Sequence, residues 1–175
     1  MNKINLKYRL NRMKELNNKW NLKMVHPLIL KYKIPEELFI KFTMSLKLYI
    51  SKALNINFTV NNRKFLVKLE KKRSYRKNVT PNGAVVPKRD YNLEYNLVLK
   101  TWCEIIRELS KKNPLILNYF RMTPNIRVKF GSELKDNIKR GLSTSHPHSD
   151  AWVEGPWGMN CFFPILGDYK RNNLK

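Results

Sequence analysis

Cysteine is scarce in this sequence of 175 residues. The chain has two, Cys103 and Cys161, and no Cys-x-x-Cys pair, which excludes a zinc site built from thiolates and a scaffold held by several disulfides. No apolar run approaches the ~20 residues of a membrane-spanning helix. Charges interrupt the N-terminus from Met1 to Trp20, which therefore lacks the apolar centre of a signal peptide. The sequence predicts a reduced, cytoplasmic protein with no membrane partner.

Acidic residues are also few. Aspartate and glutamate number 13 against 35 lysine and arginine residues, so the formal net charge is +22 at pH 7. Such an excess fits a polyanion partner, because clustered cations gain free energy when they displace counterions from phosphates. AT-rich coding explains the charge nearly as well, since lysine, asparagine and isoleucine crowd the first part of the chain. Charge alone therefore does not identify a function.

Glycine is almost absent from the front of the chain, where only Gly83 precedes Gly131. Apolar residues recur there at helical spacing and predict three helices, whose apolar stripes are expected to be buried in a core. The three stripes are Leu6, Leu10, Met13, Leu16 and Trp20; Phe39, Phe42, Leu46, Tyr49 and Ile50; and Tyr95, Leu99, Trp102, Ile106 and Leu109. We expect the second helix to begin at Pro35, which suits a first turn, and the third to run from about Asn92 to Lys112.

The segment between the second and third predicted helices has a weaker pattern. Phe58–Val60 and Phe65–Leu69 are predicted to pair as a hairpin around Asn61 and Asn62, because asparagine tolerates the positive φ of tight turns. Such a hairpin would place two short strands between two helices.

A basic run, Lys71–Lys77, follows this predicted hairpin. We expect the run to be a mobile, solvated loop rather than a binding groove, because Tyr75 is its only aromatic residue. The alternative is a contact with nucleic acid, in which Tyr75 stacks on a base and Lys88 and Arg89 add charge.

The apolar period changes to two after Pro114. In Ile126–Phe130 apolar residues alternate with cations, as in a strand with one buried face. Leu115–Arg121 is predicted to be the preceding strand, and Met159–Leu166 a strand buried on both sides. We therefore expect Leu115–Leu166 to be mostly antiparallel strand, packed against the helix that contains Trp102.

Side chains that could bind a metal or take part in catalysis are most concentrated in Ser143–Trp152, which contains two of the chain's 3 histidines. One residue separates His148 from Asp150, so on an extended strand their side chains point to the same side and can converge on one metal ion. Two nitrogens and one carboxylate on one face of an octahedron are typical of non-haem Fe(II) oxygenases. A solvated histidine in a surface turn is the alternative, and His146 with His148 is an alternative ligand pair of the cupin kind.

The residues that follow extend this pattern. His148–Trp152, Gly155–Gly158 and Asn160–Asp168 together resemble the middle of an Fe(II)/2-oxoglutarate-dependent oxygenase. The resemblance is to the phytanoyl-CoA-dioxygenase-like branch, which includes streptomycin-biosynthesis-type proteins with a His-Ser-Asp-x-Trp motif, and it covers roughly Leu115–Asn173. It implies a double-stranded β-helix, a jelly-roll of the cupin-like kind.

The resemblance also implies roles for single residues. His148 and Asp150 would bind Fe(II), and His146 would lie outside the set of metal ligands. Trp152 and Trp157 would line the pocket. The tryptophans fit ordinary core packing equally well. The implied cofactors are Fe(II) and 2-oxoglutarate, and the implied substrate is a small metabolite, sugar or natural-product intermediate that becomes hydroxylated.

The sequence departs from the family pattern after Asp150. The family has a distal histidine and then an arginine or lysine that binds 2-oxoglutarate, whereas the 25 residues after Asp150 contain no histidine. Four more strands with turns would need roughly 40 residues, so the β-helix is expected to be incomplete at the C-terminus. We favour a truncated gene or fragment. Completion by a partner chain and a non-catalytic remnant are the alternatives.

The sequence as a whole predicts an α+β fold with two domains. Residues 1–113 are expected to form a mainly helical buttress with a basic loop near 70–90, and residues 114–175 the first part of the β-helix core. The predicted function is that of an oxygenase-like protein, inactive as the chain stands unless its site is completed. The alternative, which we favour less, is a basic RNA- or DNA-binding protein with an accidental His-x-Asp pair.

Overall fold

Helices dominate the part of the chain that the structure describes. The computed structural model describes residues 7–8, 10–12, 14–15, 18, 24–26, 29–30, 32–74, 77–80, 83–112, 122–129 and 162–168. The elements are strands β1 (Met24–His26) and β2 (Ile29–Leu30), helices α1 (Glu36–Leu54) and α2 (Asn62–Glu70), a short 3₁₀ helix (Arg89–Tyr91) and helix α3 (Asn92–Lys112). The two strands pair antiparallel, with Met24 opposite Leu30. The described residues between positions 7 and 18 are helical.

The second and third predicted helices are confirmed by α1 and α3. Within the described ranges, no helix is long and apolar enough to cross a membrane.

The chain divides into two compact units, whose boundaries fall within α1 and within α3. The first unit comprises Met1–Phe42 and Asn96–Pro124, and the second comprises Thr43–Tyr95 and Asn125–Lys175.

The core of the first unit forms around Phe42 and α3. The ring centroids of Phe42 and Trp102 lie 5.8 Å apart, and both side chains are buried. Val98, Ile105 and Ile106 are also buried. Together with Trp102 they follow the three- and four-residue spacing of one helix face. Burying side chains of this size contributes about 1.5–3 kcal/mol each. The predicted core positions Trp102 and Ile106 are therefore confirmed.

The core of the second unit includes a cluster of tyrosines. The Tyr49 ring lies 5.7 Å from that of Tyr91 and 5.2 Å from that of Tyr95, between ring centroids. The Tyr49 hydroxyl donates a hydrogen bond of 3.1 Å to the carbonyl of Val85. Burial raises the pKa of Tyr49, so the hydroxyl stays protonated and continues to donate. The other buried apolar residues of this unit are Leu46, Ile50, Ala53, Leu54, Ile56, Phe65, Leu69, Val85 and Val128.

Helix α1 ends in a Schellman motif. Asn55 follows its last residue with φ 51°, in the left-handed region that asparagine tolerates. The N–H of Ile56 donates to the carbonyl of Ser51 at 2.8 Å, and the N–H of Asn55 donates to the carbonyl of Lys52 at 3.4 Å. These two bonds satisfy carbonyls that the helix leaves without partners, and the chain turns sharply after Leu54.

The predicted hairpin is wrong, because Phe65–Leu69 lies within α2. Asn61 is the N-cap of this helix, and its Oδ1 accepts a hydrogen bond of 2.9 Å from the N–H of Lys64. Asparagine is favoured both in tight turns and at helix N-caps, so it does not distinguish the two structures. The buried residues Phe65 and Leu69 are four positions apart and share one helix face.

The predicted jelly-roll core is also wrong. Between positions 114 and 175 the structure describes 122–129 and 162–168, and neither segment contains a strand. Arg127 forms an isolated bridge with Ala84, while Phe162, expected in a buried strand, is 57% exposed. Among the described residues of the alternating segment, 126–129, Val128 is buried, and it packs in the second unit without a neighbouring strand. The predicted strand Leu115–Arg121 lies outside the described residues.

Residues 126–128 pack against a loop of the second unit. The N–H of Val85 donates to the carbonyl of Ile126, and the N–H of Val128 donates to the carbonyl of Gly83, both at 2.9 Å. Gly83 has φ +86°, and a Cβ built on it would lie 2.4 Å from the carbonyl oxygen of Val128. Glycine is therefore required here both by the backbone angle and by the close approach of the second segment.

Candidate functional site

The predicted metal ligands lie outside the described residues. This applies to His148 and Asp150, to His146 beside them, and to the predicted pocket walls Trp152 and Trp157. Their roles therefore stay predictions. Among the residues that are described, no group of three or more histidine, cysteine, aspartate or glutamate side chains could hold a metal ion.

The described residues instead contain a basic surface in the second unit. Between Thr43 and Ser74 the sequence has eight basic residues and a single acidic one, Glu70. Lys47 is buried, whereas the other seven are exposed or half-buried. The carboxylate of Glu70 is paired with the guanidinium of Arg73 at 3.1 Å, so it is already engaged with a cation. Seven of the eight cations of this surface are therefore at least partly exposed to solvent.

Three of these cations line a shallow, open depression of about 220 Å³, which we call the lysine depression. Its lining residues are Lys68, Lys71, Lys72, Asn55, Ile56 and Asn57. None of these described lining residues is acidic. The depression therefore offers ammonium groups and backbone polar groups, a combination suited to an anion rather than to a cation or an apolar ligand.

The helical geometry of α2 brings the three lysines together. After the last residue of α2, the N–H of Lys71 donates to the carbonyl of Val67, and the N–H of Lys72 donates to the carbonyl of Leu69. These bonds continue the helical path for a further turn. Lys71 and Lys72 lie three and four residues after Lys68, so all three lysines are on the same side of that path.

The opposite side of the depression comes from the end of α1. The Schellman motif turns the chain at Asn55, so that Asn55–Asn57 run beside the end of α2. The Nζ of Lys68 donates a hydrogen bond of 3.1 Å to the carbonyl of Asn57. This bond joins the two sides of the depression and fixes one of its three ammonium groups.

A buried lysine supports the segment between α1 and α2. The side chain of Lys47 is 1% exposed, and its Nζ donates a hydrogen bond of 2.6 Å to the carbonyl of Val60. The same ammonium lies 5.8 Å from the centroid of the Phe65 ring, within the range of a cation–π interaction. Burial lowers the pKa of Lys47, because the charged form loses hydration. Lys47 therefore links α1 to the carbonyl of Val60 and to the Phe65 ring of α2.

Lys71 and Lys72, from the run predicted to be a solvated loop, lie in turns after α2 and line the open depression, so the choice between a solvated loop and a binding groove stays a prediction. Tyr75, the aromatic residue expected beside the cations, lies outside the described residues. An aromatic residue that the sequence analysis assigned to a strand, Phe58, is 40% exposed and directly follows the lining residue Asn57. The sequence contained a signal for the exposure of Phe58, because this residue lies in a segment that is rich in asparagine and lysine and has no helical stripe.

Comparisons with protein-family models, with curated proteins and with solved structures each found no match. The function of the chain is therefore inferred from its own residues.

Proposed function

We propose that the chain is an Fe(II)/2-oxoglutarate oxygenase-like protein that binds the metal through His148 and Asp150. The observation that carries this proposal is His148–Trp152, whose His-Ser-Asp-x-Trp order agrees with the family motif in residue type and spacing. Imidazole and carboxylate are ligands that Fe(II) accepts. If the site is completed, the bound metal and 2-oxoglutarate would supply the hydroxylation of a small metabolite, sugar or natural-product intermediate. The jelly-roll fold is not part of this proposal.

Anaerobic titration with Mn(II) tests the ligand pair. We expect His148→Ala and Asp150→Ala each to weaken Mn(II) binding by at least about tenfold, because each removes one of two protein ligands. His146→Ala is the matched control and is expected to bind like the wild type. Binding should also fall below about pH 6, where the imidazole protonates. If His146→Ala loses binding while Asp150→Ala keeps it, a site formed by His146 and His148 replaces this assignment.

A second candidate function, the binding of nucleic acid, is favoured by the lysine depression. Like charges three or four residues apart on a helix repel each other by about 0.2–0.5 kcal/mol per pair, and Lys68 has this spacing to both Lys71 and Lys72. A phosphate in the depression would relieve that repulsion and release counterions from the nucleic acid. We propose that backbone phosphates bind here, independently of base sequence.

A triple substitution of the depression tests this second function. We expect Lys68→Gln, Lys71→Gln and Lys72→Gln combined to lower the slope of log affinity against log salt by about 2 for a single-stranded oligonucleotide. The measurement is fluorescence anisotropy over a salt series. The matched control combines Lys33→Gln, Lys100→Gln and Lys129→Gln, which removes the same charge from exposed positions outside the depression.

The two triple variants separate local from overall charge. A small change in the control and a large change in the depression variant support a binding site. Equal changes in both would show that affinity follows net charge alone, and the depression would then have no special role.

A further inference from the structure

An exposed aromatic residue adjoins the lysine depression. Phe58 is 40% exposed, although burial of a phenylalanine ring is favourable by about 1.5–3 kcal/mol. It directly follows Asn57, which lines the depression. The carbonyl that accepts the hydrogen bond from Lys68 Nζ belongs to the peptide bond between Asn57 and Phe58. The backbone of Phe58 is therefore next to one of the three ammonium groups.

Other apolar side chains of the same segment are exposed as well. Val60, two residues after Phe58, is 67% exposed, and Val67, which precedes Lys68 in α2, is 54% exposed. The segment therefore combines cations with apolar side chains that are left in contact with water. A nucleotide fits both features, because its phosphate can pair with the cations and its flat base can cover the exposed Phe58 ring.

We propose that this surface binds single-stranded nucleic acid, with phosphates in the lysine depression and a base stacked on Phe58. A base in a duplex is already stacked between its neighbours and paired, so it is not free to stack on a protein side chain. An unpaired base offers its whole face, and stacking is tolerant of base identity because every base has one. The inference rests on nucleic-acid binding, the second function proposed above, and adds the substrate class and the residue that selects it.

Anisotropy titrations with a labelled strand of about 20 thymidines and with a duplex of the same length test this inference. We expect the wild type to bind the single strand more tightly. Phe58→Ala should weaken single-strand binding about tenfold and leave duplex binding unchanged, because it removes the stacking surface and no charge. Phe58→Trp should bind the single strand at least as well as the wild type. Phe162→Ala is the matched control, since Phe162 is an exposed phenylalanine that does not line the depression.

A substitution of Phe58 could also alter folding, so each variant is compared with the wild type by circular dichroism and thermal unfolding. Phe58→Leu keeps an apolar side chain without an aromatic face and serves if Phe58→Ala does not fold. Full single-strand affinity in a folded Phe58→Leu or Phe58→Ala variant would overturn the inference.

The two proposals fail in different ways. If Phe58→Ala has no effect while the triple lysine variant loses affinity for both oligonucleotides, nucleic-acid binding stands and stacking on Phe58 is wrong. If the wild type binds neither oligonucleotide, the second proposed function fails together with the inference. Equal affinity of the wild type for single strand and duplex would overturn the preference for single strands alone.

Discussion

Gly83→Ala is expected to destabilise the protein by about 3 kcal/mol. Gly83 has φ +86°, an angle that L side chains rarely adopt, and the new Cβ would lie 2.4 Å from the carbonyl oxygen of Val128. That oxygen belongs to the backbone and cannot rotate away. The N–H of Val128 donates to the carbonyl of Gly83 at 2.9 Å, so a shift that relieves the clash also disturbs this hydrogen bond. Unfolding in urea, followed by circular dichroism, measures the loss.

Gly167→Ala is the matched control for this prediction. Gly167 also has positive φ, +114°, but nothing lies within 4 Å of a Cβ built on it. The substitution therefore adds backbone strain without a clash, and we expect a cost of about 1 kcal/mol. The excess for Gly83→Ala measures the close approach of residues 126–128. Equal costs at the two glycines would show that this segment does not pack on Gly83 in solution.

Helices α1 and α3 could be predicted because their signals are local, whereas the shorter α2 was predicted as a strand. Asn92–Lys112 was expected from apolar spacing and forms α3 with those bounds. Pro35 precedes α1, and its carbonyl accepts a hydrogen bond of 3.0 Å from the N–H of Phe39. Three signals predict such a helix: apolar spacing on one face, a proline in the first turn and charges near the ends. Each signal involves residues only a few positions apart, so it can be recognised in the sequence.

Strand pairing after Pro114 could not be predicted in the same way, because a strand depends on a partner that is distant in the sequence. The alternation in Ile126–Phe130 predicted a strand; of its described residues, 126–129, Val128 is buried and none belongs to a strand. It did not show whether that segment pairs with other strands. Its contacts are with Gly83 and Val85, in a loop about 40 residues earlier, and they form no sheet.

The charge of the candidate site was visible in the sequence, but its shape was not. Lys71 and Lys72 form part of an obvious basic run. The depression also requires the end of α1 to turn at Asn55 and the carbonyl of Asn57 to accept a hydrogen bond from Lys68. The bond between Lys68 and Asn57 joins residues 11 positions apart, and no periodic pattern encodes it.

Phe65→Ala is expected to have the largest effect on stability, a loss of about 4 kcal/mol in the free energy of unfolding. The Phe65 side chain is 0% exposed, so its truncation leaves a cavity in the core of the second unit. It also removes the ring that lies 5.8 Å from the ammonium of Lys47, and a buried charge loses a favourable partner. Val67→Ala is the matched control on the same helix. Val67 is 54% exposed, and its truncation should change stability by no more than about 0.5 kcal/mol.

A third variant separates the cavity from the loss of the ring. Phe65→Leu keeps most of the apolar volume but removes the aromatic face, so we expect a loss of about 1.5 kcal/mol, well below that of Phe65→Ala. Since Phe65 anchors α2 and α2 carries Lys68, the Phe65→Ala variant should also bind a single-stranded oligonucleotide more weakly at temperatures where α2 begins to detach. A loss below about 1 kcal/mol for Phe65→Ala would contradict the burial of this ring, and with it the position of α2 on which the lysine depression depends.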